Sequence, residues 1–116
     1  MAHFPSIGQK VTSLITEVYR LTEPLNDEGD AGFRFKTRKS VSAIGALLFE
    51  GIAFEGRYER KWRLFYHDAW MEIQTTQFWL EYMYDIHCIS EQELQHCQEE
   101  LTDLKAWIEW ELSNLA

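Results

Sequence analysis

Residues Ser90 to Leu112, SEQELQHCQEELTDLKAWIEWEL, decide the fold class of this chain. Leu94, Cys97, Leu101, Leu104, Ile108 and Leu112 recur close to every 3.5 residues, the period of a helix packed along one seam. Ser90 and Glu93 have the spacing of a capping box, in which each side chain satisfies an orphan backbone donor at the helix start. Glu91 adds negative charge at the positive end of the helix dipole. Trp107 and Trp110 fall off the seam. The stretch predicts a long, capped, amphipathic helix.

Moving outward, His87-Cys88-Ile89 turns the chain, and a longer helix is expected from about Arg57 to Ile86. Its buried stripe is Trp62, Phe65, Ala69, Ile73, Thr76, Leu80 and Met83. Gly56 is the stop that separates it from a second helix over Phe33 to Phe54, with core positions Val41, Ile44, Leu48 and Ile52. Gly45 and Gly51 inside that helix each cost roughly 0.5–1 kcal/mol relative to Ala. They imply close approach of another backbone, or a break near Gly51. A first helix runs from about Ile7 to Leu21 on Val11, Leu14, Ile15, Val18 and Leu21, and Pro24 with Asn26 to Asp30 ends it. No strand-like alternation competes with these patterns. The expectation is all-α: one domain over residues 1–116, an antiparallel up-down-up-down four-helix bundle.

The formal net charge is −8, which opposes binding to nucleic acid or anionic membranes by the chain as a whole. The charge is uneven. Residues 31–63 carry eight basic and three acidic side chains, whereas residues 64–116 carry one basic and eleven acidic ones. Aromatic residues make up 15% of the chain and include five Trp, more large rings than a bundle of this size is expected to hide. Some rings are therefore expected at a partner. Two cysteines make no disulfide framework, the start has no basic, apolar leader, and no stretch reaches the ~20 apolar residues of a membrane span. The expected location is the cytoplasm, without membrane contact.

Little in the sequence carries catalytic chemistry. His87-Cys88 and His96-Cys97 are the most metal-like feature, but Cys97 lies on the core seam and helix spacing sends the others apart. Glu72 and Glu81 lack the Glu-x-x-His partners of di-iron bundles, and Tyr66-His67-Asp68 places neighbours on different helix faces. No phosphate loop, nucleophile elbow or zincin motif occurs. No enzyme activity, cofactor or metal is expected.

The basic cluster is the stronger candidate: Arg34, Lys36, Arg38 and Lys39, then Arg57, Arg60, Lys61 and Arg63, with Tyr58 and Trp62 interleaved. Cations beside rings suit phosphate backbones and stacked bases. Basic residues at a helix N-terminus oppose its dipole, so an acidic neighbour or an external anion must compensate them. The acidic tail half of the same or another subunit is the preferred source.

Arg38-Lys39-Ser40-Val41-Ser42-Ala43-Ile44-Gly45-Ala46-Leu47-Leu48-Phe49-Glu50-Gly51 resembles a stretch of the four-helix-bundle family encoded in intervening sequences of bacterial 23S ribosomal RNA genes. The basic pair, Ile44 and Glu50-Gly51 carry the likeness, and Ala69 to Leu80 and Ile89 to Leu94 resemble that family's third helix and its turn into the fourth. Leu47, Gly45 and Met71-Glu72 depart from its pattern. The resemblance implies a ring-shaped homo-oligomer, typically a pentamer. A related branch, the accessory variability proteins of diversity-generating retroelements, partners a reverse transcriptase and its RNA, and its members are typically basic.

Two functions are therefore expected. The first is a non-enzymatic homo-oligomeric scaffold or adaptor, with Glu50, Gly51, Trp107, Trp110 and the exposed rings of the third helix at subunit contacts. The second is a nucleic-acid-binding accessory protein that uses Arg34 to Arg63 as one basic patch.

Overall fold

The computed structural model of the chain describes residues 4–25, 32–57 and 61–114. It consists of α1 (Phe4–Thr22), α2 (Phe33–Phe54), α3 (Lys61–Asp85) and α4 (Glu91–Asn114), with no strand among the described residues. Cross-helix pairs give the topology. Thr22 meets Arg38 and Tyr19 meets Ser42; Ser40 meets Thr76 and Gly51 meets Tyr66; Gln98 meets Gln77 and Glu109 meets Trp70; Lys10 meets Asp103 and Arg20 meets Glu93. In every pair one number rises as the other falls, so all four neighbouring pairs are antiparallel. The bundle is 45 × 25 × 19 Å.

The core is the sum of four seams. Val18, Ile44, Ile73, Leu80, Leu101, Leu104 and Ile108 are fully enclosed, and α2 spans the bounds that the sequence predicts. Ser90 caps α4 as expected: its hydroxyl accepts from the Glu93 N–H at 3.0 Å, and Glu93 accepts from the Ser90 N–H at 2.9 Å. Gly56, at φ 78, lies in the turn that follows α2.

Four expectations need correction. First, α2 does not break at Gly51. A Cβ there would lie 2.4 Å from the Tyr66 ring, so the glycine admits a side chain from α3 rather than a backbone. Second, the buried residue that follows Trp62 on α3 is Tyr66, while Phe65 is only half-buried and stacks on Phe54 at 5.4 Å. Third, the last buried position of α4 is Glu111, with Leu112 packed at the margin. In both cases the alternation of three- and four-residue steps, not the more apolar neighbour, decides which residue faces inward. Fourth, Arg57 lies in the turn after α2 and not in α3, whose described residues are Lys61–Asp85. The loop at Asn26–Asp30 lies outside the described residues.

Candidate interaction surfaces

The basic residues do not form one patch. Arg34, Lys36, Arg38 and Lys39 stand at the start of α2, and Arg57, Lys61 and Arg63 lie beyond its far end. The remainder of α2 from Lys39 to Phe54, about 22 Å of helix, separates the two groups. Arg60 lies outside the described residues.

Most of these cations are engaged within the fold. The start of α2 has Gly32 as N-cap with no side-chain cap, and its first turn has no acidic residue. Glu23, at the end of α1, supplies the missing charge: Arg38 reaches it at 3.0 Å and Arg34 at 3.3 Å. The Arg38 hydrogen bond, then the charges of Arg34 and Arg38, hold the Glu23 carboxyl below the usual range. Arg38 also donates to the Thr22 hydroxyl at 2.8 Å and the Tyr19 carbonyl at 2.9 Å, and its guanidinium lies 4.4 Å from the centre of the Tyr19 ring. The compensating acid at the start of α2 is thus a single residue of the turn after α1, where the sequence pointed to the acidic tail half. Lys36 lies 5.9 Å from the Trp79 ring centre, and Lys61 lies 5.3 Å from that of Phe54. Arg63 donates to the Leu112 carbonyl at 3.3 Å and covers Trp62. Among the described residues, Lys39 and Arg57 are in no ion pair or cation–π contact, and they belong to opposite ends of α2.

The expected contact residues also divide. Gly51 is buried and used inside the subunit, against Tyr66. The Tyr66 hydroxyl in turn donates to Glu55 at 2.7 Å, and burial, followed by that carboxylate, raises its pKa. Trp107 is half-buried, 5.6 Å edge-on from Tyr66, so it too belongs mainly to the subunit's own core. Trp110 remains 55% exposed, and Glu50 is exposed without an ion pair among the described residues.

The exposed rings of the third helix, also expected at subunit contacts, belong to a larger surface. Leu64, Met71 and Phe78 stand at seven-residue steps on the side of α3 turned away from the core, with exposures of 67%, 51% and 57%. Tyr82 extends the line, and Phe35 and Phe49 are similarly exposed on α2. The sequence signal is a second heptad phase on α3, offset from the core stripe and visible once that stripe has been removed. Two concavities accompany these residues. An apolar groove of about 590 Å³ runs between α1 and α2, lined by Val11, Ile15, Gly45, Ala46, Phe49 and Ile52 among others. A hollow of about 420 Å³ near the start of α2 is lined by Tyr19, Arg34, Phe35, Arg38, Lys39 and Ser42.

Among the described residues no group of three or more His, Cys, Asp or Glu is arranged to hold a metal ion. Cys97 is buried, its thiol pushed up to about 12 by burial, while Cys88 is exposed. Among the described residues no helix is long and apolar enough to cross a membrane.

The family model of the 23S rRNA-intervening sequence protein matches residues 6–109. No curated protein and no solved structure matches the chain. The matched span covers α2 and α3 whole and most of α1 and α4, and the chain belongs to that family.

Proposed function

We propose that this member of the 23S rRNA-intervening sequence protein family is a non-enzymatic homo-oligomeric scaffold or adaptor, a ring of bundles with five subunits as the expected number. One observation carries the reading: large apolar side chains line the outer side of α3, where a self-sufficient bundle would present polar ones. The reading predicts a discrete oligomer of the 13.8 kDa chain at micromolar concentration in sizing with light scattering. A clean monomer under those conditions would overturn it.

A second reading, an accessory protein that partners a retroelement reverse transcriptase or RNA, rests on the hollow at the start of α2. Phe35, Tyr19 and Lys39 there combine exposed rings with an ion-pair-free cation. Glu23 neutralises the other two cations of the hollow, and the net charge of −8 opposes a polyanion, so this reading ranks below the scaffold. It predicts RNA binding that weakens steeply with salt and is lost in Lys39→Glu. No binding at low salt would end it.

A further inference from the structure

The groove between α1 and α2 and the ridge on α3 are complementary features of the same chain. The ridge is convex: Leu64, Met71 and Phe78 lie nearly in line over about 21 Å, because seven residues fall only about 20° short of two full turns. The groove is concave because its lining is small where the helices meet. Gly8 and Gly45 contribute no side chain, and Thr12, Ser42 and Ala46 contribute short ones. Nothing lies within 4 Å of a Cβ built on Gly8, while the ends of Ile15 and Val11 lie 3.0 and 3.2 Å from one on Gly45, so these two form the apolar floor.

The charges match as well. Glu50 lines the groove and has no ion pair among the described residues. Arg57, also without one among them, is exposed in the turn four residues before α3. It therefore stands at the Leu64 end of the ridge. Each half-exposed large side chain offers on the order of 100 Å². Leu64, Met71, Phe78 and Tyr82 thus supply about half of the ~800 Å² that each partner buries in a standard interface, before any flanking residue is counted.

We infer that the α3 ridge of one subunit seats in the α1/α2 groove of the next, with Arg57 against Glu50. The inference rests on the scaffold reading and gives its contact a direction. Ridge and groove are different surfaces, so the contact is head-to-tail and not two-fold. A pair joined this way keeps one free ridge and one free groove, which is the condition for a closed ring.

The test uses two variants of the full chain with substitutions at exposed positions, Met71→Glu with Phe78→Glu on the ridge and Thr12→Arg with Ala46→Arg in the groove. Each alone is expected to be a folded monomer by circular dichroism and light scattering. Mixed one to one, they should give a species of twice the 13.8 kDa chain mass and nothing larger, since one intact ridge meets one intact groove. A mixture that stays monomeric, or variants that still assemble like the parent, would overturn the inference while leaving an oligomeric scaffold standing. A monomeric parent would remove both. Should a variant unfold, a charge exchange decides instead. Glu50→Arg should weaken assembly at least tenfold and added Arg57→Glu should restore it; no weakening, or no restoration, overturns the pairing.

Discussion

Helices α3 and α4 are nearly equal in length and bury similar seams, yet their outer sides are opposites. Opposite its core stripe α3 carries Leu64, Met71, Phe78 and Tyr82. In the same position α4 carries Glu99, Asp103 and Ala106, with Trp110 as its one large exposed apolar residue. The outer side of α4 is polar; that of α3 is apolar. The difference is not one of helix-forming tendency, since both helices form. It lies in what each helix needs once its inner stripe is covered.

The sharpest way to probe that contrast compares two positions on α3 itself. Ile73 is fully enclosed, and Ile73→Ala should cost about 2–5 kcal/mol from lost burial and the cavity left behind. Met71, two residues away, is half exposed, and Met71→Ala should change the stability of an isolated subunit by less than about 0.5 kcal/mol. In an assembly the same substitution should remove much of the dependence of the denaturation midpoint on protein concentration. Urea denaturation of both variants at two concentrations separates the cases. Equal costs at the two positions would erase the distinction between the faces.

The two interior glycines of α2 give a second, smaller contrast. A methyl group on Gly51 would strike the enclosed Tyr66 ring at 2.4 Å, and that ring is held by its bond to Glu55. Overpacking of this kind costs about 1–3 kcal/mol, partly offset by the helix preference of Ala. Gly45 faces the movable ends of Ile15 and Val11 at 3.0 and 3.2 Å. Gly51→Ala should therefore lower the thermal midpoint clearly, and Gly45→Ala should leave it nearly unchanged or raise it. The reverse order would mean that Tyr66 can swing aside.

The fold was legible because its signals repeat: four apolar stripes, a capping box and three breaks between helices, with no rival pattern. Errors arose where side-chain chemistry was allowed to outweigh period. Phe65 and Leu112 are more apolar than Tyr66 and Glu111, yet the three-four alternation turns the latter pair inward. Tyr66 tolerates enclosure because its hydroxyl meets Glu55, a pairing across the α2–α3 turn that no local pattern announces. The surfaces were less legible. Eight basic residues close in sequence look like one patch, but α2 holds the seven described ones at its two ends, and Glu23 from the turn after α1 takes up two of them. Exposed rings on the third helix are expected from the sequence, but the heptad phase that aligns Leu64, Met71 and Phe78 is hidden by the core stripe that shares their helix.

A third effect should be of intermediate size. Ser90→Ala removes the acceptor for the Glu93 N–H and should cost about 1 kcal/mol, read as a lower thermal midpoint. Because the cap secures the polar-faced helix α4, the loss should not depend on protein concentration, unlike that of Met71→Ala. A concentration-dependent loss would place the start of α4 in a subunit contact.

The smallest effect concerns the seams. Helices α2 and α3 meet through apolar residues and a buried hydroxyl pair, Ser40 with Thr76 at 2.6 Å, whereas α1 and α4 are bridged at the rim by Lys10 with Asp103 and Arg20 with Glu93. The hydrogen bond to Asp103, more than the charges around it, raises the Lys10 pKa above 10.5, so its contribution is complete below that value and lost as pH rises through the folded one. The hydrogen bond from Arg20 lowers Glu17 below 4.5, so its contribution is complete above that value and lost as pH falls through the folded one. The Glu17 pair lies within α1, so at neutral pH the bridges of Lys10 and Arg20 to α4 should make the α1–α4 seam respond to salt, and the α2–α3 seam should not. Cys97, buried behind a hollow of about 350 Å³ lined by Lys10, Glu17 and Glu100, reports on it. In a Cys88→Ser background, thiol labelling of Cys97 at neutral pH should quicken roughly two- to fivefold between 0.1 and 1 M salt, the range that surface ion pairs support. A thiol placed at Thr76 should label at a rate that salt leaves unchanged. If both sites quicken together, the bundle opens as a whole, and its two seams are one cooperative unit.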